Sequence, residues 1–399
     1  MIIVEYISDG YKHADVNAAM ISIYIKKNPD EKIHLFCADL YFEILTEIMK
    51  KNSVECENLV HHSINSYRKQ VRDYKMFLFD LGIVSSIFKW AKNNNETEIL
   101  FLYTTTFMLY FTKLFAFLNK KINICSVIHG DLERIMLIEY ANSFESGKLW
   151  QYLYALIFGL KLPLTLPAQK NLKHIVYSES IKSNMLSVIP KLKNNVSTMP
   201  YPYFYEKLEN TVPFRDNKVH FCVPGLSSAR KNLPVLKQLI NFFDNVYSEN
   251  PNFELSFGGI IMDKEFYNSM IMKDYTLKKS VSDTMLSSEY RDNLLKQADY
   301  ALITYQFNSY KLIANGSFMD SINMETPVIA TRNNYIEQYF KKYGNIGYIV
   351  DSYRELEEKV KEILNNPPIE EYQIQKENIR KIKADESIEN TVKLLEKGR

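Results

Sequence analysis

Apolar and polar positions along the chain follow two rhythms. Short, nearly unbroken apolar runs, IIVEYI (2–7) and KIHLFCA (32–38), are each followed by a longer stretch whose apolar residues recur every three or four positions. The runs predict strands buried on both faces; the longer stretches predict helices from about Val16 to Lys27 and over YFEILTEIMKK (41–51). ILFLY (99–103), INICSVI (122–128) and HIVYS (174–178) extend the strand series. The pattern then restarts with VHFCVPG (219–225), FELSFGGI (253–260), YALITY (300–305) and PVIAT (327–331). Strands alternating with helices predict an α/β protein with parallel sheets covered on both faces.

Between the two series, MPYPYFYEKLENTVPFRDNK (199–218) has three prolines and no period, which marks an interdomain linker. The expected division is a Rossmann-like domain over 1–200, a second over 201–375 and a terminal helical segment over 376–399, and a charged helical tail is expected from about Ile369 to Lys397. A length of 399 residues suits two domains. A cleft between two doubly wound domains is a natural ligand site.

Residues 99–118, ILFLYTTTFMLYFTKLFAFL, are long enough to span a membrane, but three consecutive threonines and Lys113 interrupt them. A buried strand, a Thr turn and an amphipathic helix are expected instead. The composition, 46% hydrophobic and 24% charged, is that of a globular protein. A net charge of +2 gives no general argument for nucleic acid. Cys37, Cys56, Cys125 and Cys222 lack metal-ligand spacing, and three lie in apolar strand-like runs, so buried free thiols in a reducing compartment are expected. MIIVEYISDG carries no secretory pattern, and a cytoplasmic location is expected.

Candidate chemistry concentrates at two turns between a strand and a helix. In VHFCVPGLSSARKNLPVLKQL (219–239), Gly225 permits a sharp turn, and Ser227, Ser228, Arg230 and Lys231 follow near the next helix start. Free N–H groups, the helix dipole and an Arg–Lys pair favour a diphosphate there, whereas an ordinary cap beside solvated charges would use the same residues. In YKLIANGSFMDSINMETPVIATRNN (310–334), Asn315, Gly316 and Ser317 open a second helix, with Tyr305, Ser309 and Tyr310 on the loop before it. Asp320 is expected in the first turn, where it either caps the helix or accepts hydrogen bonds from sugar or ribose hydroxyls.

These two stretches together resemble the donor-binding domain of GT-B-fold glycosyltransferases, the class that includes glycosyltransferase family 4. GLSSARKN resembles that class's strand followed by "G…R…K", and DSINMETPVIA its acid-containing helix running into "G-x-P-V-I-A". Asp320 stands where the second Glu of the family's E-x(7)-E pair would be, Leu312 where the first would be, and Glu325 where a Gly usually precedes the Pro. EYRDNLLKQADYALITY (289–305) resembles the segment between the two motifs.

The resemblance implies two Rossmann-like domains facing across a cleft: an N-terminal acceptor-binding domain, a C-terminal nucleotide-sugar domain, and a last helix returning to the N-terminal one. It implies a nucleotide-sugar donor (UDP-, GDP-, TDP- or CMP-linked) and a bacterial surface glycan or lipid-linked acceptor. No cofactor or metal is expected, because cationic side chains and helix dipoles take the metal's place and no D-x-D stands at a strand end. It also points to His13 and Asp15 in DGYKHADVN (9–17), and to His129 in INICSVIHGDLERI (122–135), as catalytic or cleft residues. Histidine titrates near neutrality and suits a general base, while capping or surface roles would serve either His equally. A retaining mechanism would need no such base.

KLWQYLYALIFGLKLPLTLPAQKNLKH (148–174) carries Trp150 and four lysines without an acid, and fits either a membrane surface or a packed helix with its lysines in solvent. A nucleotide-sugar 2-epimerase and a non-catalytic binding or partner protein of the same fold are the alternatives.

Overall fold

The computed structural model describes all residues except 9, 12, 67–73, 130–131, 133–134, 136–158, 210–212, 230, 308–309 and 398–399. By their contacts the residues form two compact units: Met1–Phe204 with Leu312–Ala314 and Glu386–Arg399, and Tyr205–Lys311 with Asn315–Asp385.

The first unit is built on a seven-stranded sheet. Its strands are β1 (Ile2–Val4), β2 (Ile33–Cys37), β3 (Leu59–Ser63), β4 (Glu98–Phe101), β5 (Asn123–Val127), β6 (Leu172–Val176) and β7 (Val196–Thr198). Every pairing is parallel, in the order β3-β2-β1-β4-β5-β6-β7. Helices α1 (Ala14–Lys27), α2 (Asp39–Lys51), α3 (Tyr74–Asn93), α4 (Thr106–Leu118), α5 (Lys161–Thr165) and α6 (Glu179–Val188) accompany it. α1 is apolar almost all round, which suits a helix enclosed by its surroundings. The sheet order reverses between β1 and β4, and this is where a doubly wound sheet opens a crevice beyond its strand ends.

The second unit has five parallel strands: β8 (Val219–Pro224), β9 (Phe253–Gly258), β10 (Tyr300–Ile303), β11 (Val328–Thr331) and β12 (Gly347–Val350). Their order is β12-β11-β10-β8-β9, the other common doubly wound arrangement, with its switch point between β8 and β10. Helices α7 (Leu233–Tyr247), α8 (Lys264–Ile271), α9 (Ser288–Gln297), α10 (Gly316–Asn323), α11 (Asn334–Tyr343), α12 (Tyr353–Asn365) and α13 (Ile369–Asp385) complete it. A core around Phe221, Phe243, Phe253, Phe257 and Tyr300 fills the space between α7 and the sheet.

Three strands escape the sequence pattern: β3, β7 and β12. β3 (LVHHS) and β7 (VST) show no continuous apolar run, and β12 (GYIV), an edge strand, is only four residues long. The chain over 98–118 is a strand, a Thr turn and a helix, as its interruptions predict. Among the described residues no helix is long and apolar enough to cross a membrane.

The charged tail is two helices, broken at Glu386 and Ser387. α13 runs unbroken through position 376, and its Tyr372 belongs to the second unit's core. The following helix, α14 (Ile388–Lys397), belongs to the first unit: Ile388 and Val392 join its core, and Lys26 on α1 pairs with Glu389 at 2.5 Å.

Candidate functional site

The second unit's switch point brings together the loops after β8 and β10. Gly225, at the end of β8, has a φ of 76°, a conformation that disfavours any residue with a Cβ. A Cβ placed there would lie 2.2 Å from Ser317 Oγ, so the β8 loop and the start of α10 are in direct contact. Gly259 lies against the other side of the same peptide, where a Cβ would come within 2.0 Å of the Gly225 carbonyl oxygen.

Ser227 fastens the β8 loop rather than facing outward. It is 1% exposed, its N–H donates to the Ile260 carbonyl (2.8 Å), and its hydroxyl accepts from Asn232 Nδ2 (3.2 Å). Asn232 Oδ1 also accepts from the Ser228 N–H. The first two positions of α7 leave no N–H for an anion. The Leu233 N–H is spent on the Ser228 carbonyl, and Pro234 has none.

This loop offers the Lys231 side chain instead. Lys231 is partly buried, burial lowers its pKa, and its ammonium makes no hydrogen bond or ion pair among the described residues. Gln306, in the loop after β10, ties the two loops together: its N–H donates to the Lys231 carbonyl (3.1 Å) and its Nε2 to the Ala229 carbonyl (2.8 Å).

The start of α10 is more open to a ligand. Asn315 is its N-cap, with Oδ1 accepting from the Phe318 N–H (3.0 Å) and from the Tyr305 hydroxyl (3.2 Å). The N–H groups of Gly316 and Ser317 reach no acceptor among the described residues. Asn315 is 1% exposed, and its Nδ2 is a buried donor without a partner among the described residues. Tyr305 packs on Tyr310 with ring centroids 4.1 Å apart, and burial raises the Tyr305 phenol above its usual range. Tyr310 takes a φ of 57°, which turns the chain back towards α10.

Asp320 is neither in the first turn nor the cap. The helix begins at Gly316, so Asp320 is its fifth residue, and Asn315 performs the capping. Arg291 on α9 approaches Asp320 at 3.9 Å while donating to Asp292 at 2.9 Å. Glu325 has a φ of 55°, which explains why a glycine would be at ease there. Its buried carboxylate is held by Arg380 (2.7 Å) and Lys383 (3.0 Å) of α13. Burial alone would raise its pKa, but those two partners hold it below the usual value.

In the first unit, the switch point gathers His13, Tyr103 and His129. The His13 and His129 rings are 5.0 Å apart, edge to face, and Tyr103 lies 5.0 Å from His129. His13 precedes α1 in a left-handed conformation with a φ of 58°. Asp15 is exposed in the first turn of α1. Glu5, buried at the end of β1, accepts from the N–H groups of Ile7 (2.8 Å) and Ser8 (3.0 Å) and from Asn17 Nδ2 (3.1 Å), which shapes the loop leading to His13.

Arg230, Ser309, Gly130, Asp131 and residues 148–158 lie outside the described residues. Tyr103, Glu5 and Gln306 carry no motif, while Arg291 lies in EYRDNLLKQADYALITY and Asn232 ends GLSSARKN without being singled out there. Only Asn232, just ahead of a Leu-Pro helix start, gave a local signal. Among the described residues no group of three or more His, Cys, Asp or Glu is placed to hold a metal.

No family model and no curated protein matches the chain. Solved structures do match, over nearly its whole length. Anabaena HepE in complex with UDP is 11% identical with a TM-score of 0.61, covering 100% of this chain and 98% of its own. WaaG, a glycosyltransferase involved in lipopolysaccharide biosynthesis, is 10% identical with a TM-score of 0.60, covering 99% and 98%. A putative UDP-N-acetylglucosamine 2-epimerase from Listeria monocytogenes is 9% identical with a TM-score of 0.53, covering 96% and 95%. The chain has the GT-B fold, which glycosyltransferases and these epimerases share.

Proposed function

We propose that this chain is a glycosyltransferase that moves a sugar from a nucleotide-sugar donor to a hydroxyl of a bacterial surface glycan or glycolipid, such as lipopolysaccharide or capsule. One observation carries the reading: Lys231, a half-buried cation without a counter-charge among the described residues, stands in a loop tied to the opening of α10, where the Gly316 and Ser317 N–H groups meet no acceptor among those residues. An uncompensated buried cation costs free energy unless an anion joins it, and a diphosphate supplies that anion. HepE, the fold neighbour in complex with UDP, supports a nucleotide ligand of this kind.

In this reading the diphosphate lies on the N–H groups of α10 and on Lys231. As the bond from the sugar to the phosphate breaks, negative charge grows on the leaving oxygen, and those donors stabilise it without a metal. Asp320, steadied by Arg291, accepts hydrogen bonds from sugar or ribose hydroxyls. In the first unit, His13 or His129 takes the acceptor's proton in an inverting reaction. In a retaining one the leaving phosphate takes it.

The test is a thermal-shift screen of UDP-, GDP-, TDP- and CMP-sugars on the full chain and on Lys231→Ala, with and without divalent metal. A ligand at 100 times its dissociation constant stabilises by about 2.7 kcal/mol, well within detection. A shift for one nucleotide that Lys231→Ala removes upholds the donor site; no shift with any of them refutes it. The Listeria neighbour favours a second reading, sugar 2-epimerisation. Conversion of the bound nucleotide sugar without acceptor would establish it in place of transfer.

A further inference from the structure

Among the described residues of the first unit, the C-terminal half of α4 presents apolar side chains to solvent. On α4, Leu114, Phe117 and Leu118 are 51%, 57% and 63% exposed, and their spacing of three and four places them on one stripe. The buried side of the helix is well occupied. Met108, Leu109, Phe111 and Ala116 are in the core, and Phe115 stacks on Phe88 of α3 with ring centroids 5.0 Å apart. The uncovered stripe is therefore not the leftover of a loosely packed helix. Leu166, itself partly exposed, adjoins it, because its carbonyl accepts from Lys113 Nζ at 2.9 Å.

Cations ring the end of this stripe. Exposed Lys120 and Lys121 follow α4 directly. The Asn171 side chain donates to the carbonyls of Ala116, Asn119 and Ile122, which brings exposed Lys170 to the same end. Lys92, one turn beyond Phe88 on α3, is exposed as well. None of these four lysines forms an ion pair among the described residues. Nearby Glu96 is already engaged, pairing with the N-terminal ammonium at 2.7 Å.

We infer that the C-terminal half of α4 docks the protein on an anionic lipid surface, with Leu114, Phe117 and Leu118 entering the interface and the lysines meeting the headgroups. Large apolar side chains in water flanked by unpaired cations suit a partner that is apolar inside and negative at its face. Of the described part of 148–174, Leu160, Pro163 and Leu164 are buried while Leu166 and Lys170 adjoin the stripe, so that segment and α4 contribute to one surface. This inference does not depend on the donor reading, and its test needs no nucleotide.

The experiment is flotation of the full chain with vesicles of phosphatidylcholine alone or of phosphatidylcholine mixed with phosphatidylglycerol. Three variants accompany it: Leu114→Ser/Phe117→Ser/Leu118→Ser, Lys120→Glu/Lys121→Glu, and the control Met272→Ser, whose side chain is as exposed in the other unit. Circular dichroism confirms that each is folded. The wild type and the control should float with the anionic vesicles and not with phosphatidylcholine. The serine variant should stay at the bottom, and the charge-reversed one should partition about tenfold more weakly or worse. Failure of the wild type to float, or flotation of the serine variant like the wild type, overturns the inference. So does a wild-type dimer in sedimentation velocity that the serine variant disperses, since the stripe would then belong to a second copy.

Discussion

Gly225 and Ser317 meet across the second unit's switch point: a Cβ on Gly225 would sit 2.2 Å from the Ser317 hydroxyl oxygen. The contact joins a strand end to a helix start 92 positions later and makes one surface of two loops. Each loop alone resembles an ordinary turn.

Gly225→Ala should cost about 1 to 2 kcal/mol for its left-handed backbone, while the Ser317 hydroxyl can rotate aside. Gly259→Ala should cost more, because its Cβ would meet the Gly225 carbonyl, which has no rotamer to change. Urea denaturation of both variants gives the order; an equal loss would contradict this packing.

Lys231→Gln should leave stability unchanged or slightly raised, since a partly desolvated charge is removed. Affinity for the nucleotide found in the screen should fall about tenfold or more, as a charge-assisted contact is lost. Calorimetric titration checks it: opposite signs for stability and binding mark a ligand site, and losses in both mark a structural lysine.

Asp80 is fully buried on α3 and receives hydrogen bonds from Tyr6 (2.9 Å) and Thr105 (2.5 Å). Burial pushes its carboxyl up to about 6. A folded-state pKa above the unfolded one means that its contribution is greatest at low pH and is lost as pH rises through about 6. Asp80→Asn, neutral throughout, should therefore gain stability relative to wild type between pH 5 and about 8, by about 1 to 3 kcal/mol. Chemical denaturation across that range measures the difference; a constant difference would show that Asp80 does not titrate there.

Lys383→Met should destabilise the second unit by about 3 kcal/mol, because it leaves the buried Glu325 carboxylate with Arg380 alone. The Glu325 pKa is depressed, so its stabilising contribution holds above the unfolded pKa and fades as pH falls through the folded one. The variant's deficit should accordingly shrink in acid. Glu325→Gly relieves the backbone yet strands Lys383, and should also lose stability, as thermal melts at neutral pH would show.

His13→Ala should lower kcat for sugar transfer about a hundredfold while leaving nucleotide affinity intact, the mark of a general base that acts on the acceptor. Single-turnover assays with the identified donor decide it; unchanged kcat would remove His13 from the chemistry.

The sequence by itself determined the two parallel sheets, because strands buried on both faces read as nearly unbroken apolar runs, as IIVEYI and YALITY do. It also marked the helix opening at Asn315-Gly316, since an N-cap is local chemistry three residues long. The edge strand LVHHS left no such trace, because half-exposed positions admit His and Ser. Only the tertiary structure decided that Ser227 is a fastener, that Lys231 has no counter-charge among the described residues and that Glu325 is held by two cations of α13. Those facts depend on partners that folding brings close, and residue spacing along the chain carries no record of them. The same holds for the apolar stripe on α4: its pattern reads as an amphipathic helix, and only the exposure of Leu114, Phe117 and Leu118 shows that apolar side chains also face solvent.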